Sequence, residues 1–351
     1  MNNLPSIQKE SETHAAVLRG DKHKFSELTE PHRRELQIHC YRIVGSLQDA
    51  EDMVQETFLR AWRRLGTYQG RASFRAWLYK IATNVCLDHL DQGRIRRLLP
   101  TEVSPASDPM ATIDPPSTEI NWLEPFPDEW LIDQTAESPE ARYTIYESIS
   151  LAFLSALQTL PPRQRAALIL SDVLAWSPHE VADLLETSVS AINSALHRAR
   201  EKMAKQYHGH RPENPSVFRA DERTQKVLDL YVKAWQTADV AGLVALLKKD
   251  ATFAMPPSTS WYRGIKDIRV FTAGTIFADD GMFAGKARGR WKLIPIHANN
   301  QPAFAMYQRA NSGKYEAFGV HVLEVKAGQL TSLTCFINPT LLQRFNLPAN
   351  L

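Results

Sequence analysis

The sequence predicts a multidomain fold: two all-α helical domains, the second a helix-turn-helix, followed by a C-terminal α+β domain. Three observations carry this. At 351 residues the chain is about twice an ordinary domain in length. Its charge is segregated: residues 60–97 hold nine Lys or Arg against Asp88 and Asp91, whereas residues 101–141 hold ten acids, seven prolines and no Lys or Arg. Finally, helical periodicity continues to about residue 205, and after a polar stretch the pattern changes to two helices followed by strands. The expected boundaries are 1–98 for the first helical domain, 99–141 for an acidic Pro-rich linker, 142–207 for the second helical domain, 208–220 for a short linker, and 221–351 for the α+β domain.

No apolar run approaches the roughly 18 residues that span a bilayer, and the first 25 residues are polar and charged. Membrane insertion and secretion are therefore not expected, and a cytoplasmic location is. Cys40, Cys86 and Cys335 are too few and too scattered for a disulfide framework or a zinc site. Neither a metal nor a cofactor is expected.

In residues 49–65, Met53, Val54, Phe58, Ala61, Trp62 and Leu65 recur at three and four spacings and mark one buried helix face. The opposite face carries Asp52, Gln55, Glu56, Arg60 and Arg63; an ordinary solvated face is the alternative reading. Ser73 can cap the next helix, which buries Phe74, Trp77, Leu78, Ile81, Ala82 and Val85 and displays Arg75, Lys80, Asn84 and Asp88. Cations mixed with Tyr68, Trp77 and Tyr79 suit phosphate neutralisation combined with base stacking on a single strand.

Ser177-Pro178-His179-Glu180 forms a capping box with proline at the first helical position, so a short helix begins there and ends near Leu185. Ser188 caps a further helix with the stripe Ile192, Leu196, Ala199 and Met203. With the helix of residues 162–173, the order is that of a helix-turn-helix. Ser190, Asn193, Ser194 and His197 would face base edges, and Arg198, Arg200 and Lys202 the phosphates. A plain three-helix packing unit is the alternative.

At these residues the chain resembles the extracytoplasmic-function group of the sigma-70 family, promoter-recognition subunits of bacterial RNA polymerase. The stretch DAEDMVQETFLRAWRRLGTYQGRASFRAWLYKIATNVCLDHL (49–90) is similar to the family's second conserved region, and LPPRQRAALILSDVLAWSPHEVADLLETSVSAINSALHRARE (160–201) to its fourth. The resemblance implies that Asp52, Gln55 and Glu56 grip the coiled coil of the largest subunit of core RNA polymerase. It places the loop of residues 66–73, including Tyr68 and Arg71, at the melted minus-ten element with Arg75, Lys80, Asn84 and Asp88. It places Ser188, Ser190, Asn193, Ser194, His197, Arg198 and Arg200 in the minus-35 groove of promoter DNA. Two departures stand out: Asn193 and Ala195 replace a Lys and an Arg of many relatives, and Glu186 replaces the glycine usual in the turn.

Residues 221–264, with Val227, Leu228, Tyr231, Val232, Trp235 and the segment Trp261-Tyr262-Arg263-Gly264, resemble SnoaL-like domains, α+β cones in which a curved sheet wraps helices around a pocket. Strand-like runs at 289–297, 303–308, 315–325 and 330–337 fit the cone's meander. Pocket candidates are Trp261, Tyr262, Arg263, His297 and His321. No pair of carboxylates accompanies them, so the chain is not expected to be an enzyme. Asn338 and Pro339 resemble a segment that contacts the sigma core in related fusions; a strand-ending turn is the alternative. The expectation is a sigma factor tuned by its fused domain, with a separate anti-sigma factor or a small ligand as further possible partners. A helix-turn-helix regulator with a ligand-binding domain, or a SnoaL-like enzyme with a DNA-binding extension, are the alternatives.

Overall fold

The computed structural model describes residues 21–70, 72–93, 96–131, 144–207, 221–283 and 285–351. The chain divides into two compact units: one gathers the helices of residues 22–93 and 156–207, the other gathers residues 97–131, 144–155 and 221–351.

In the helical unit, α1 (Lys22–Thr29) and α2 (Arg33–Val44) lead into α3 (Leu47–Arg64) and α4 (Phe74–Gly93). Gly45 adopts φ 75° and donates its N–H to the Tyr41 carbonyl, which closes α2 as only a residue tolerant of the left-handed region does comfortably. Ser46 then caps α3 by accepting from Asp49 N. Leu36, Ile43, Val54, Phe58, Leu78, Ile81 and Val85 form the core between these helices. The second group begins at residue 156, in the last turn of α5 (Leu151–Gln158), and comprises α6 (Pro162–Leu168), continued by a π turn over Ile169–Val173, α7 (Pro178–Leu184) and α8 (Val189–Gln206). The capping box is formed, with Ser177 Oγ accepting from Glu180 N and the Glu180 carboxylate accepting from Ser177 N. Ile192, Leu196, Ala199 and Met203 are buried, as their spacing predicts.

The α+β unit opens with α9 (Glu222–Thr237) and α10 (Val240–Ala245), followed by β1 (Leu247–Ala254), β2 (Trp261–Arg263) and α11 (Gly264–Phe271). A meander of β3 (Trp291–Ala298), β4 (Gln301–Arg309), β5 (Tyr315–Lys326) and β6 (Gln329–Phe336) precedes α12 (Leu341–Arg344). The sheet runs β2-β1-β6-β5-β4-β3, with β1 parallel to β6 and the other pairs antiparallel. Tyr231 and Trp235 of α9 enter its concave side among Phe304, Trp291, Phe277 and His321.

The acidic stretch, expected as an extended linker, is held along the α+β unit through residue 131. The Trp261 indole donates to the Ser104 carbonyl, Ser107 N to the Trp261 carbonyl and Ser117 N to the Pro257 carbonyl, while Asp114 accepts from Thr259. Phe126 is fully buried and Asp128 nearly so. Proline limits the stretch to single 3-10 turns at Pro100–Glu102 and Asp128–Leu131, and its backbone groups find partners on β2 and the preceding loop. Likewise residues 144–155, expected in the second helical domain, group with the α+β unit: Ile149 and Leu151 bond to the β3–β4 turn.

Candidate nucleic-acid interface

α3 presents Asp52, Gln55 and Glu56 on the side away from the core. Asp52 and Gln55 are exposed, and Glu56 accepts from Arg60, which also reaches Asp88. Leu59 lies on the same face, three and four residues beyond Glu56 and Gln55, and is 52% exposed. Sequence periodicity missed it, because an isolated leucine beside a core phenylalanine reads as core.

Tyr68, Phe74 and Trp77 come together with centroids 5.3 to 5.6 Å apart, Tyr68 and Phe74 edge to face and Trp77 tilted against both, and all three are half-buried. Tyr68 donates to the Ala72 carbonyl, which holds the loop over the start of α4. Phe74 was expected as core, yet it completes an aromatic cluster of the kind on which bases stack. Asn84 is half-exposed on α4, one turn after Lys80. Arg75 is occupied inside the unit, donating to Glu35 at 2.7 Å and lying 4.7 Å from the centroid of the Tyr79 ring. Asp88 accepts from Arg60 at 2.7 Å. Arg71 lies outside the described residues.

On α8 the residues Ser188, Ser190, Asn193, Ser194, His197, Arg198 and Arg200 are all exposed. Ser188 Oγ is committed to capping, accepting from Ala191 N. Arg200 makes a bidentate pair with Asp172, at 2.6 and 3.0 Å, so its charge is partly balanced within the unit. Glu186 adopts φ 53°, which explains how a non-glycine fills the turn: the left-handed conformation is kept and the carboxylate is drawn to Lys80.

The five pocket candidates of the α+β unit do not line one site. Strand alternation puts Trp261 and Tyr262 on opposite faces. Trp261 faces the acidic stretch, with Arg263 stacked over its ring, while Tyr262 stacks on Phe271 at 4.0 Å inside the core. His297 is exposed near the end of β3. His321 is buried in the concave core, where its Nδ1 pairs with the Tyr231 hydroxyl at 2.7 Å, and burial depresses its pKa to about 3. Asn338 Oδ1 accepts from both Thr340 N and Thr340 Oγ1, so it closes the turn that leads from β6 through Pro339 into α12.

Family models match in both helical groups: Sigma-70 region 2 over residues 28–95 and Sigma-70, region 4, over residues 150–203. The chain is 42% identical over 336 residues to the ECF RNA polymerase sigma factor SigG of Mycobacterium tuberculosis, covering 95% of this chain and 85% of SigG. It is 27% identical over 192 residues to SigW of Bacillus subtilis, covering 54% of this chain and 92% of that one. Among solved structures, the extracytoplasmic function sigma factor SigJ of Mycobacterium tuberculosis has the same fold over 91% of this chain and 98% of SigJ, with TM-score 0.57 and 23% identity. Among the described residues no helix is long and apolar enough to cross a membrane.

Proposed function

The chain belongs to the ECF RNA polymerase sigma factors, and from that premise we propose which of its surfaces do the work. As a sigma factor it binds core polymerase and directs it to promoters. The α3 face of Asp52, Gln55, Glu56 and Leu59 is the polymerase contact. One observation carries this: an exposed leucine is set among polar residues on a helix whose other side is fully committed to the core, giving an apolar anchor inside a charged rim. Replacing Asp52 and Glu56 together by Arg should weaken association with core polymerase roughly tenfold or more while circular dichroism stays unchanged. A double variant that competes for core polymerase as well as the parent protein would refute the assignment.

The Tyr68–Phe74–Trp77 cluster with Lys80 and Asn84 takes the unpaired minus-ten strand, and the exposed face of α8 enters the minus-35 groove. The fused α+β unit tunes the activity through the acidic stretch that it holds, rather than by chemistry at its buried Tyr231–His321 pair. Core polymerase with this protein on a promoter library, scored for transcript starts, tests the reading directly. Starts that require this protein support it, and starts that shift when Asn193 or His197 is replaced by alanine assign the minus-35 face.

A further inference from the structure

The first turns of α2 and α4 are joined through one carboxylate. Glu35, whose side chain is 16% exposed, is engaged on both oxygens. Its Oε1 lies 2.6 Å from His32 Nδ1, and the His32 ring lies against Phe74 with centroids 6.1 Å apart. Its Oε2 accepts from Arg75 Nε at 2.7 Å and from the Tyr79 hydroxyl at 3.2 Å. The Arg75 guanidinium also lies over the Tyr79 ring and donates to the Tyr79 hydroxyl at 3.3 Å. Burial acts to raise the Glu35 pKa, but the hydrogen bond with His32 and the charge of Arg75 outweigh it, so the carboxyl is held below its ordinary range and remains an anion. Phe74 in turn carries Tyr68 and Trp77. One anion on α2 thus fixes two consecutive residues of α4, Phe74 through His32 and Arg75 directly, and the aromatic cluster with them.

We infer that Glu35 is a positioning residue for capture of the minus-ten strand, and that Arg75 is its clamp rather than a contact of that strand. This rests on the reading of the Tyr68–Phe74–Trp77 cluster as the surface on which the strand stacks. The surroundings of Arg75 decide its role. To reach a phosphate its guanidinium would have to leave the Glu35 anion, the Tyr79 hydroxyl and the Tyr79 ring together, stripping a mostly buried carboxylate of its permanent cation. A solvated phosphate contact, screened by salt, contributes less than that loss. The placement of the cluster depends on the same clamp. The buried residues of α4 start at Leu78, so ahead of them Glu35 supplies the polar anchor of the first turn. Bases stack well only on rings held in a fixed arrangement, and a first turn without its anchor would let Phe74 and Trp77 drift.

The test uses the full chain assembled with core polymerase and a fluorescent single-stranded oligothymidylate of about 15 nucleotides, since stacking surfaces tolerate any base. Glu35→Gln should weaken oligonucleotide binding roughly fivefold, the lower end of one stacked base, while affinity for core polymerase stays unchanged. Losing both in equal measure would mean that Glu35 merely holds the fold, and would overturn the positioning role. Arg75→Gln should weaken binding to a similar degree and leave the slope of log affinity against log salt as it was. A slope shallower by about 0.7, the weight of one single-strand phosphate contact, would make Arg75 a DNA contact and overturn the clamp. Because Glu35 acts through the cluster, Glu35→Gln should cost less than about twofold once Trp77→Ala has already disrupted it; additive losses would overturn the coupling. The same variants separate the two readings. If Trp77→Ala binds the oligonucleotide as tightly as the parent protein, the stacking surface is misassigned; if Trp77→Ala loses affinity and Glu35→Gln does not, the role of Glu35 alone fails.

Discussion

At the scale of single residues, the buried titratable groups set how each unit responds to acid. His39 is fully buried with Nε2 on Thr83 Oγ1, and burial, followed by the nearby Arg42 and Arg75, lowers its pKa from 6.5 to about 3. Between those values the unfolded chain binds a proton that the folded chain refuses, so stability falls as pH drops below 6.5, with a limiting slope of about 1.4 kcal/mol per pH unit. His321 does the same in the α+β unit. There it is opposed by Asp128, which burial raises from 3.8 to about 7 despite hydrogen bonds from Asn300 N and Asn299 N. The folded Asp128 keeps its proton where the unfolded one loses it, so its contribution weakens as pH rises from about 4 to 7, the reverse of the histidine. In the α+β unit Asp128 thus opposes His321 and His297, whose pKa burial also lowers, whereas among the described residues of the helical unit no raised carboxylate opposes His39. Amide hydrogen exchange between pH 7 and pH 5 should show the helical unit loosening first. His39→Gln should flatten that dependence, and a helical unit that loses no protection by pH 5 would contradict the assignment.

At the scale of elements, caps and periodicity made the helices legible. The Ser177 box, the Ser188 cap and the stripe from Ile192 to Met203 are local features, and each stands where the spacing put it. Ser177→Ala should therefore cost about 1 kcal/mol, read as a lower denaturation midpoint of the helical unit. The meander was legible for the same reason, since the strand-like runs at 289–297, 303–308, 315–325 and 330–337 are short-range signals. What local signals could not carry is pairing at long range. Nothing in residues 247–254 announces a strand set between β2 and β6 and parallel to β6, and nothing in Ser104, Ser107 or Ser117 announces hydrogen bonds to residues 140 to 157 positions later. Gly319 is a further case. The register passes from Met306–Gly319 to Tyr307–Ala317, leaving Phe318 as a bulge, and a Cβ on Gly319 would stand 2.2 Å from the Phe336 carbonyl. Gly319→Ala should open the β5–β6 pairing and lower the melting temperature of the α+β unit by several degrees, whereas Gly274→Ala, which meets nothing within 4 Å, should leave it unmoved.

At the scale of the whole molecule, the chain that connects the two helical groups is held by the α+β unit at residues 97–131 and 144–155. Asn299 is the pivot. It is fully buried at φ 57° in the β3–β4 turn; its Oδ1 accepts from Phe126 N, its own N donates to the Phe126 carbonyl, and its Nδ2 donates to the Ile149 carbonyl. One side chain thus holds the connecting chain at residue 126 and again at residue 149, before region 4 begins. Each buried partner left unpaired costs about 1 to 3 kcal/mol, and alanine is also disfavoured at a left-handed φ. Asn299→Ala should therefore release both ends of the connector while leaving the core of the sheet in place. Once released, residues 97–131 should become sensitive to proteases in the full-length chain. The residues assigned to DNA reading all lie at or before Arg200, so promoter choice should not change, while transcript yield from a fixed promoter should. Matched yields from parent and Asn299→Ala proteins, with the connector demonstrably cleavable, would mean that the α+β unit shelters the acidic stretch without tuning the sigma factor. A changed yield at an unchanged start site would place the control of activity in the connector that Asn299 holds.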